Sequence, residues 1–195
     1  MNFGRNRKEF SIGIYDLNKI KFPVTYSSKH KAEIKFIPLG FEQEMTADSI
    51  LKNHHKGKEF SHLMQGTSVY PIWVDANNRI LSMPPIINSN DIGNVTTKTK
   101  NVFIECTGYD PRFLQVVIDV ISAQIIDRGG SVETVNFSGS KKAINPSLAN
   151  KKFSVRIDSV NKISGLQLET KNIVELLKKA RYDCTISKDV LSVCY

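Results

Sequence analysis

The chain has 195 residues, 41% hydrophobic and 24% charged, with a formal net charge of +8. That suits one medium domain with a small appendage, and the composition is that of an ordinary globular protein, not a disordered or fibrous one. No apolar run approaches the ~20 residues of a membrane-spanning helix, and the basic start is not followed by the apolar core of a secretory signal, so no membrane contact is expected.

Cys106, Cys184 and Cys194 are odd in number and lack metal-ligand spacing. Free thiols in a reducing cytoplasm are expected. The charge is uneven. Residues 1–35 hold eight Lys/Arg against three Asp/Glu, residues 36–140 eight against eleven, and residues 141–181 ten against three. Basic flanks around a slightly acidic centre suit a body that receives the end of a nucleic acid. Isolated lysines on such flanks are ordinarily only solvated surface, and so is a terminal cluster such as Arg5-Asn6-Arg7-Lys8.

In chain order, Phe10 to Tyr15 is an apolar, β-branched strand, and Lys21 to Tyr26 a second one that Pro23 confines to an edge. Lys35 to Gly40 is a short strand broken by Pro38. Thr46 caps a helix that turns Ile50 and Leu51 inward and frays near His54-His55, before Gly57. A second helical turn, Lys58 to Met64, carries His62. His54, His55 and His62 invite a metal reading, but Gly57 interrupts the helix and no Cys or carboxylate completes a tetrahedral set, so no metal is predicted.

Three strands follow: Tyr70 to Val74, Arg79 to Met83 after the turn Asp75–Asn78, and Asn101 to Cys106. Two adjacent prolines cannot donate to a ladder and each fixes φ near −65°. The chain is therefore expected to leave the sheet at Pro84-Pro85 as a rigid extended wall. Glu105 and Thr107, two apart on one strand, share a face, while Cys106 between them points the other way, into packing. With Trp73 on the first strand and Ser82 before the prolines, the stretch reads as an apolar pocket with a few placed polar groups. The same residues also suit purely structural roles: Trp73 in core packing, Ser82 and Thr107 capping turns, Asn88 steadying a loop. No Ser/His/Asp or Cys/His nucleophilic set stands at a telling spacing, and no glycine-rich phosphate loop is present.

Asp110 is a strong N-cap, Pro111 suits the first helical position, and Gly129-Gly130 supply the stop. Apolar residues from Phe113 to Ile126 cover more than one face, which predicts a long helix packed on two sides. Ser131 to Phe137 alternates and should return as a strand. Beyond a polar linker, Phe153 to Ile157 reads as a strand and Ser159 to Ile163 as a short helix ended by Gly165. Thr170 then caps an amphipathic helix, and Cys184–Ile186 and Val190–Cys194 form a hairpin. That order suggests a winged-helix-like element for RNA or subunit contact. The expected fold class is α+β, with mixed or antiparallel sheets and a long buried helix. Residues 1–140 form the main domain, 141–152 a linker and 153–195 the first part of the winged-helix-like domain.

LSMPPIINS, a Thr-rich loop and NVFIECTGYD together resemble the phenylalanyl-tRNA synthetase beta subunit of the archaeal and eukaryotic cytosolic type. The likeness extends upstream through GRNRKEFSIGIYDLNKIKFPVTY and IKFIPLGFEQEMTADSIL, and downstream through RIDSVNKISGLQLETKNIVELLKKARYD. It covers nearly the whole chain, weakest over residues 136–152. The resemblance implies an excised fragment, ending at Tyr195 inside the small domain, that holds a site hydrolysing tyrosine wrongly esterified to the tRNA for phenylalanine. It places Glu105, Thr107 and Ser82 at the chemistry, with Trp73, Pro84, Pro85, Asn88 and His62 on the substrate side. Archaeal relatives tend to carry Asp where Glu105 stands and an aliphatic residue where Trp73 stands, so a narrower pocket is implied here. The whole synthetase would use ATP and magnesium and pair two alpha with two beta subunits in the cytoplasm, whereas this fragment would need no cofactor and hold no aminoacylation site. The alternative is a non-catalytic tRNA- or subunit-binding scaffold with a vestigial pocket.

Overall fold

The computed structural model describes Gly4, residues 6–139 and residues 145–194; Arg5 of the basic cluster and residues 141–144 of the expected linker lie outside them. The chain divides into two compact units, Met1–Pro146 and Ser147–Tyr195. In the first, β1 (Phe10–Asp16) leads through a 3-10 turn at Leu17–Lys19 to β2 (Thr25–His30), β3 (Lys35–Phe36) and β4 (Met45–Thr46). Two short helices follow, α1 (Ala47–Asn53) and α2 (His55–Phe60), then β5 (Val69–Val74), β6 (Ile80–Met83), β7 (Ile87–Asn88), β8 (Val102–Gly108) and α3 (Pro111–Ile126).

The strands form antiparallel sheets in the orders β2-β5-β6-β7, β1-β8 and β3-β4. Alternation along β5 decides what each face meets. Tyr70, Ile72 and Val74 join Ile50 of α1, Phe60 of α2, Phe36, Met83 and Ile86 in one buried core. Trp73 points the other way, into a second core with Tyr15, Leu81, Ile92 and Phe103. Ile50, Ile72, Leu81, Met83 and Ile86 are fully buried, and each such side chain contributes ~2 kcal/mol of apolar burial. β2 begins at Thr25, two residues past Pro23, rather than at Lys21 as its composition suggested; proline brings no N–H to a ladder.

Several expectations change. Pro84-Pro85 is no extended wall: Ile86 N donates to Met83 O at 2.8 Å, the Pro84–Pro85 bond is cis, and β7 folds straight back onto β6. The fixed φ of proline serves a tight corner as well as an extended run, and a corner uses no proline N–H. Residues 131–137 form no strand. Val135 N donates to Asn145 Oδ1 at 2.8 Å and Asn145 Nδ2 to Val135 O at 2.9 Å, so a side-chain amide stands where a neighbouring strand would. α3 forms as expected, with Asp110 accepting from Arg112 N, but it is not buried on two sides. Val117 and Ser122 are buried, while Val116 and Val120 remain 49% and 51% exposed.

The second unit comprises β9 (Lys152–Arg156), α4 (Ile157–Ser164), α5 (Thr170–Lys179), β10 (Asp183–Ser187) and β11 (Val190–Cys194). The sheet order is β10-β11-β9, over a small core of Ile173, Leu191 and Val193. Gly165 ends α4 in the left-handed region, at φ 69°, which glycine enters without a Cβ clash. Strand, two helices and hairpin follow one another in the order expected.

Candidate functional site

β1 and β8 pair so that Ser11 faces Thr107, Gly13 faces Glu105 and Tyr15 faces Phe103. Directly opposed residues share a face, so this side of the pair presents two hydroxyls, a carboxylate and a phenol. Ser82 comes from the other sheet, opposite Trp73 in register. The Tyr15 hydroxyl lies at the junction, donating to Ser82 Oγ at 2.7 Å and to Glu105 Oε1 at 3.0 Å. One phenolic proton is thus shared between two acceptors that stand 67 and 90 residues away in sequence.

Gly13 makes this meeting possible. A Cβ there would run into both Glu105 Oε1 and the Tyr15 hydroxyl. Tyr15 is fully buried, Ser82 2% exposed and Glu105 6% exposed. Glu105 Oε2 and Trp73 Nε1 are also buried, and neither completes a hydrogen bond. The indole N–H still lies on the carboxyl's side and helps hold its proton affinity down, as does the Tyr15 hydroxyl, but burial outweighs both. The Glu105 carboxyl is pushed up to about 7. Burial first and the Glu105 charge second also raise the Tyr15 and Tyr26 phenols. The Tyr26 ring leans on Trp73 with 4.8 Å between centroids, closing that side.

Thr107 Oγ1 lies 2.8 Å from Ser11 Oγ, two residues along β8 from Glu105 on the same face. Asn88 donates from Nδ2 to Ile14 O at 3.4 Å and so ties β7 to β1. Pro84 is buried and Pro85 half-buried at the corner after β6, where the Arg7 guanidinium donates to Pro85 O and Ile86 O, both at 2.7 Å. Arg7 is therefore tied to this corner and is not simply solvated surface. His62 is exposed on a 3-10 turn at Ser61–Met64 and takes no part in the cluster's hydrogen bonds. The buried histidine is His54, whose Nδ1 accepts from Lys56 N and whose Nε2 lies 3.1 Å from Leu39 O. Cys106 sits opposite Ile12 on the other face, its thiol pushed up to about 12 by burial and then by Glu105.

Among the described residues no His/Cys/Asp/Glu cluster has the makings of a metal site, and no helix is long and apolar enough to cross a membrane. A concavity of about 400 Å³ in the second unit is lined by Phe153, Val155, Ile173 and Leu191 among others. Another of about 230 Å³, beside the 3-10 turn after β1, is lined by Lys19, Thr96, Lys98 and Lys100 among others. None of the predicted site residues lines either.

Residues 1–125, the stretch holding this cluster, match the family described as B3/4 domain. The chain belongs to that family. The B3/4 unit and the smaller unit after it are together similar to beta subunits of phenylalanine–tRNA ligase. Identity is 40% over 196 residues with that of Thermococcus gammatolerans, spanning 100% of this chain and 34% of the relative. With that of Pyrococcus horikoshii it is 43% over 189 residues, 96% of this chain and 34% of the relative. The chain thus spans about a third of the length of the relatives it matches. Its fold superposes on the crystal structure of an N-terminal fragment of the phenylalanyl-tRNA synthetase beta subunit from Pyrococcus horikoshii, with TM-score 0.91 and 42% identity over 99% of this chain and 56% of that one.

Sequence reasoning missed Ser11, Gly13, Tyr15 and Tyr26 in this B3/4 domain. One signal was available: a lone glycine inside the apolar strand FSIGIY marks a close approach, and alternation puts Tyr15 on its face. That the approaching group is Glu105 follows only from register.

Proposed function

We propose that this B3/4 domain hydrolyses the ester of tyrosine wrongly joined to the tRNA for phenylalanine. A synthetic pocket shaped for phenylalanine rejects an added hydroxyl only weakly, by ~10². A second site reverses the selectivity if it hydrogen-bonds that hydroxyl, because phenylalanine then leaves buried polar groups unpaired. The observation that carries this reading is the Glu105 carboxylate, desolvated and with one oxygen unengaged beside the equally unengaged Trp73 N–H. A phenolic hydroxyl can donate to the first and accept from the second.

Two residues along a strand span ~6.8 Å, comparable with the reach of a tyrosine side chain from hydroxyl to α-carbon. A tyrosyl group anchored at Glu105 therefore brings its ester carbonyl toward the Ser11–Thr107 hydroxyl pair. Those hydroxyls orient a water that attacks the carbonyl carbon. The tetrahedral intermediate then collapses with cleavage of the acyl–oxygen bond, the proton given up by the attacking water passes to the ribose oxygen, and free tyrosine and intact tRNA leave. Ser82 holds the carboxylate side through Tyr15 and does not meet the ester. In the whole synthetase the chain would serve a cytoplasmic enzyme of two alpha and two beta subunits that charges tRNA with phenylalanine using ATP and magnesium.

The test is deacylation of tyrosyl-tRNA specific for phenylalanine by the chain beside Glu105→Ala and Thr107→Ala. Glu105→Ala should lose selectivity for the tyrosyl ester, and Thr107→Ala should slow hydrolysis by ~10². Equal rates in all three would sink the proposal. A second reading, a tRNA- or subunit-binding scaffold, is favoured by the closure of the cluster, where Tyr15 already engages Glu105. It requires unchanged tRNA binding and no hydrolysis above background.

A further inference from the structure

The polar cluster holds one residue that neither the ester chemistry nor the fold core requires to be a tyrosine. Phe103, opposite it in register, fills the neighbouring core with a plain ring. Tyr15 instead carries a hydroxyl into the fully buried junction of the two sheets and spends it on Ser82 and Glu105 together. The pairing residue before it on that face is a glycine, whose missing side chain leaves the space where phenol and carboxylate meet.

We propose that Tyr15 is the positioning residue of this site, clamping Oε1 of Glu105 and the Ser82 hydroxyl so that Oε2, buried and without a partner in the free chain, is the one carboxyl oxygen left for a substrate hydroxyl. This rests on the hydrolytic reading for its substrate, though the clamp itself is a property of the apo chain. A carboxylate free to turn about its last torsion would offer either oxygen and admit water to both. A carboxylate with one oxygen held offers a single acceptor in a fixed direction, and the Trp73 N–H beside it supplies a single donor. The pair then reads one hydroxyl on the substrate ring, and a ring without one leaves both unpaired.

The groups facing Glu105 are Tyr15 from β1, Trp73 from β5 and Tyr26 from β2, with Cys106 beside it on β8 and Ser82 of β6 joined to it through Tyr15. Of these, the Tyr15 hydroxyl and the indole N–H favour the ionised form, whereas burial opposes it. Removing the hydroxyl therefore drives the carboxyl's titration further toward alkaline pH.

The experiment uses the full chain and Tyr15→Phe, which keeps the ring in the core. Two measurements are made: hydrolysis of tyrosyl and phenylalanyl esters of the tRNA for phenylalanine against pH, and carbon-13 NMR titration of the Glu105 carboxyl, assigned with Glu105→Gln. Tyr15→Phe should lower the tyrosyl-over-phenylalanyl ratio of kcat/KM about tenfold, through KM for the tyrosyl ester, and move the rising limb of the pH profile about one unit alkaline. The NMR titration should move the same way. A merely structural tyrosine would lower thermal stability and leave ratio, limb and titration in place, and that result overturns the proposal. If the wild type hydrolyses neither ester yet the titration moves, the hydrolytic reading falls and the clamp stands; active wild type with an unmoved titration does the reverse. Should Tyr15→Phe not fold, Gly13→Ala, which pushes phenol and carboxylate apart while keeping both, is judged by the same titration shift.

Discussion

Glu105→Gln replaces a carboxyl that folding makes hold its proton with a neutral group of the same shape. The ordinary value of 4.5 rises to about 7 in the folded chain, chiefly through burial. A difference of about 2.5 units corresponds to ~3 kcal/mol of linkage. Because the folded value is the higher one, this stability is fully present below about pH 4.5 and is lost as pH rises through about 7. The wild type should therefore lose ~3 kcal/mol between pH 4.5 and about pH 8 relative to Glu105→Gln. Asp75, Asp110 and Glu59 are held below their ordinary values, so they act at lower pH and in the opposite sense, equally in both chains. The assay is urea unfolding of both chains across that pH range, followed by fluorescence of the single tryptophan, Trp73, which reports on the unit that holds Glu105. A wild-type minus variant difference that stays flat to within ~1 kcal/mol would show that Glu105 is not desolvated, and the recognition argument would go with it.

Two further perturbations probe the scaffold. Asp75 is buried and accepts from Lys21 N, Asn77 N and Arg79 N as well as from the Arg79 guanidinium. Asp75→Ala strips five N–H donors of their acceptor and should cost ~3 kcal/mol in urea unfolding; a loss under ~1 kcal/mol would mean the turn closes without it. On α3, Val117→Ala should cost ~1–2 kcal/mol while Val120→Ala changes stability by less than ~0.5 kcal/mol, read by thermal unfolding. Equal costs would put Val120 inside a core where the structure leaves it half exposed.

Much of the structure is local and could be read from the chain alone. Asp110-Pro111 starts α3 because an Asp side chain caps the orphan N–H groups and proline needs no donor there. Gly165 stops α4 because the left-handed region has no penalty for it. Glu105 and Thr107 share a face because a strand repeats every two residues, and Cys106 is turned away for the same reason. The blocks of sequence around LSMPPIINS and NVFIECTGYD pointed to the beta-subunit likeness that the similar chains bear out.

Periodicity says which face a residue occupies but not what lies across from it, and there tertiary structure decided. Residues 131–137 alternate like a strand, yet their partner is the Asn145 amide, so no ladder forms. Pro84-Pro85 fits both a wall and a corner, and only the return of β7 onto β6 selects the corner. α3 is apolar on more than one side, but only one side meets β8. Tyr15, Ser82 and Glu105 come from three strands of two sheets, and the burial that raises the Glu105 carboxyl belongs to their packing and to no one segment. Desolvation is a sum over neighbours that are distant in sequence, so it exists only once the chain has closed around it.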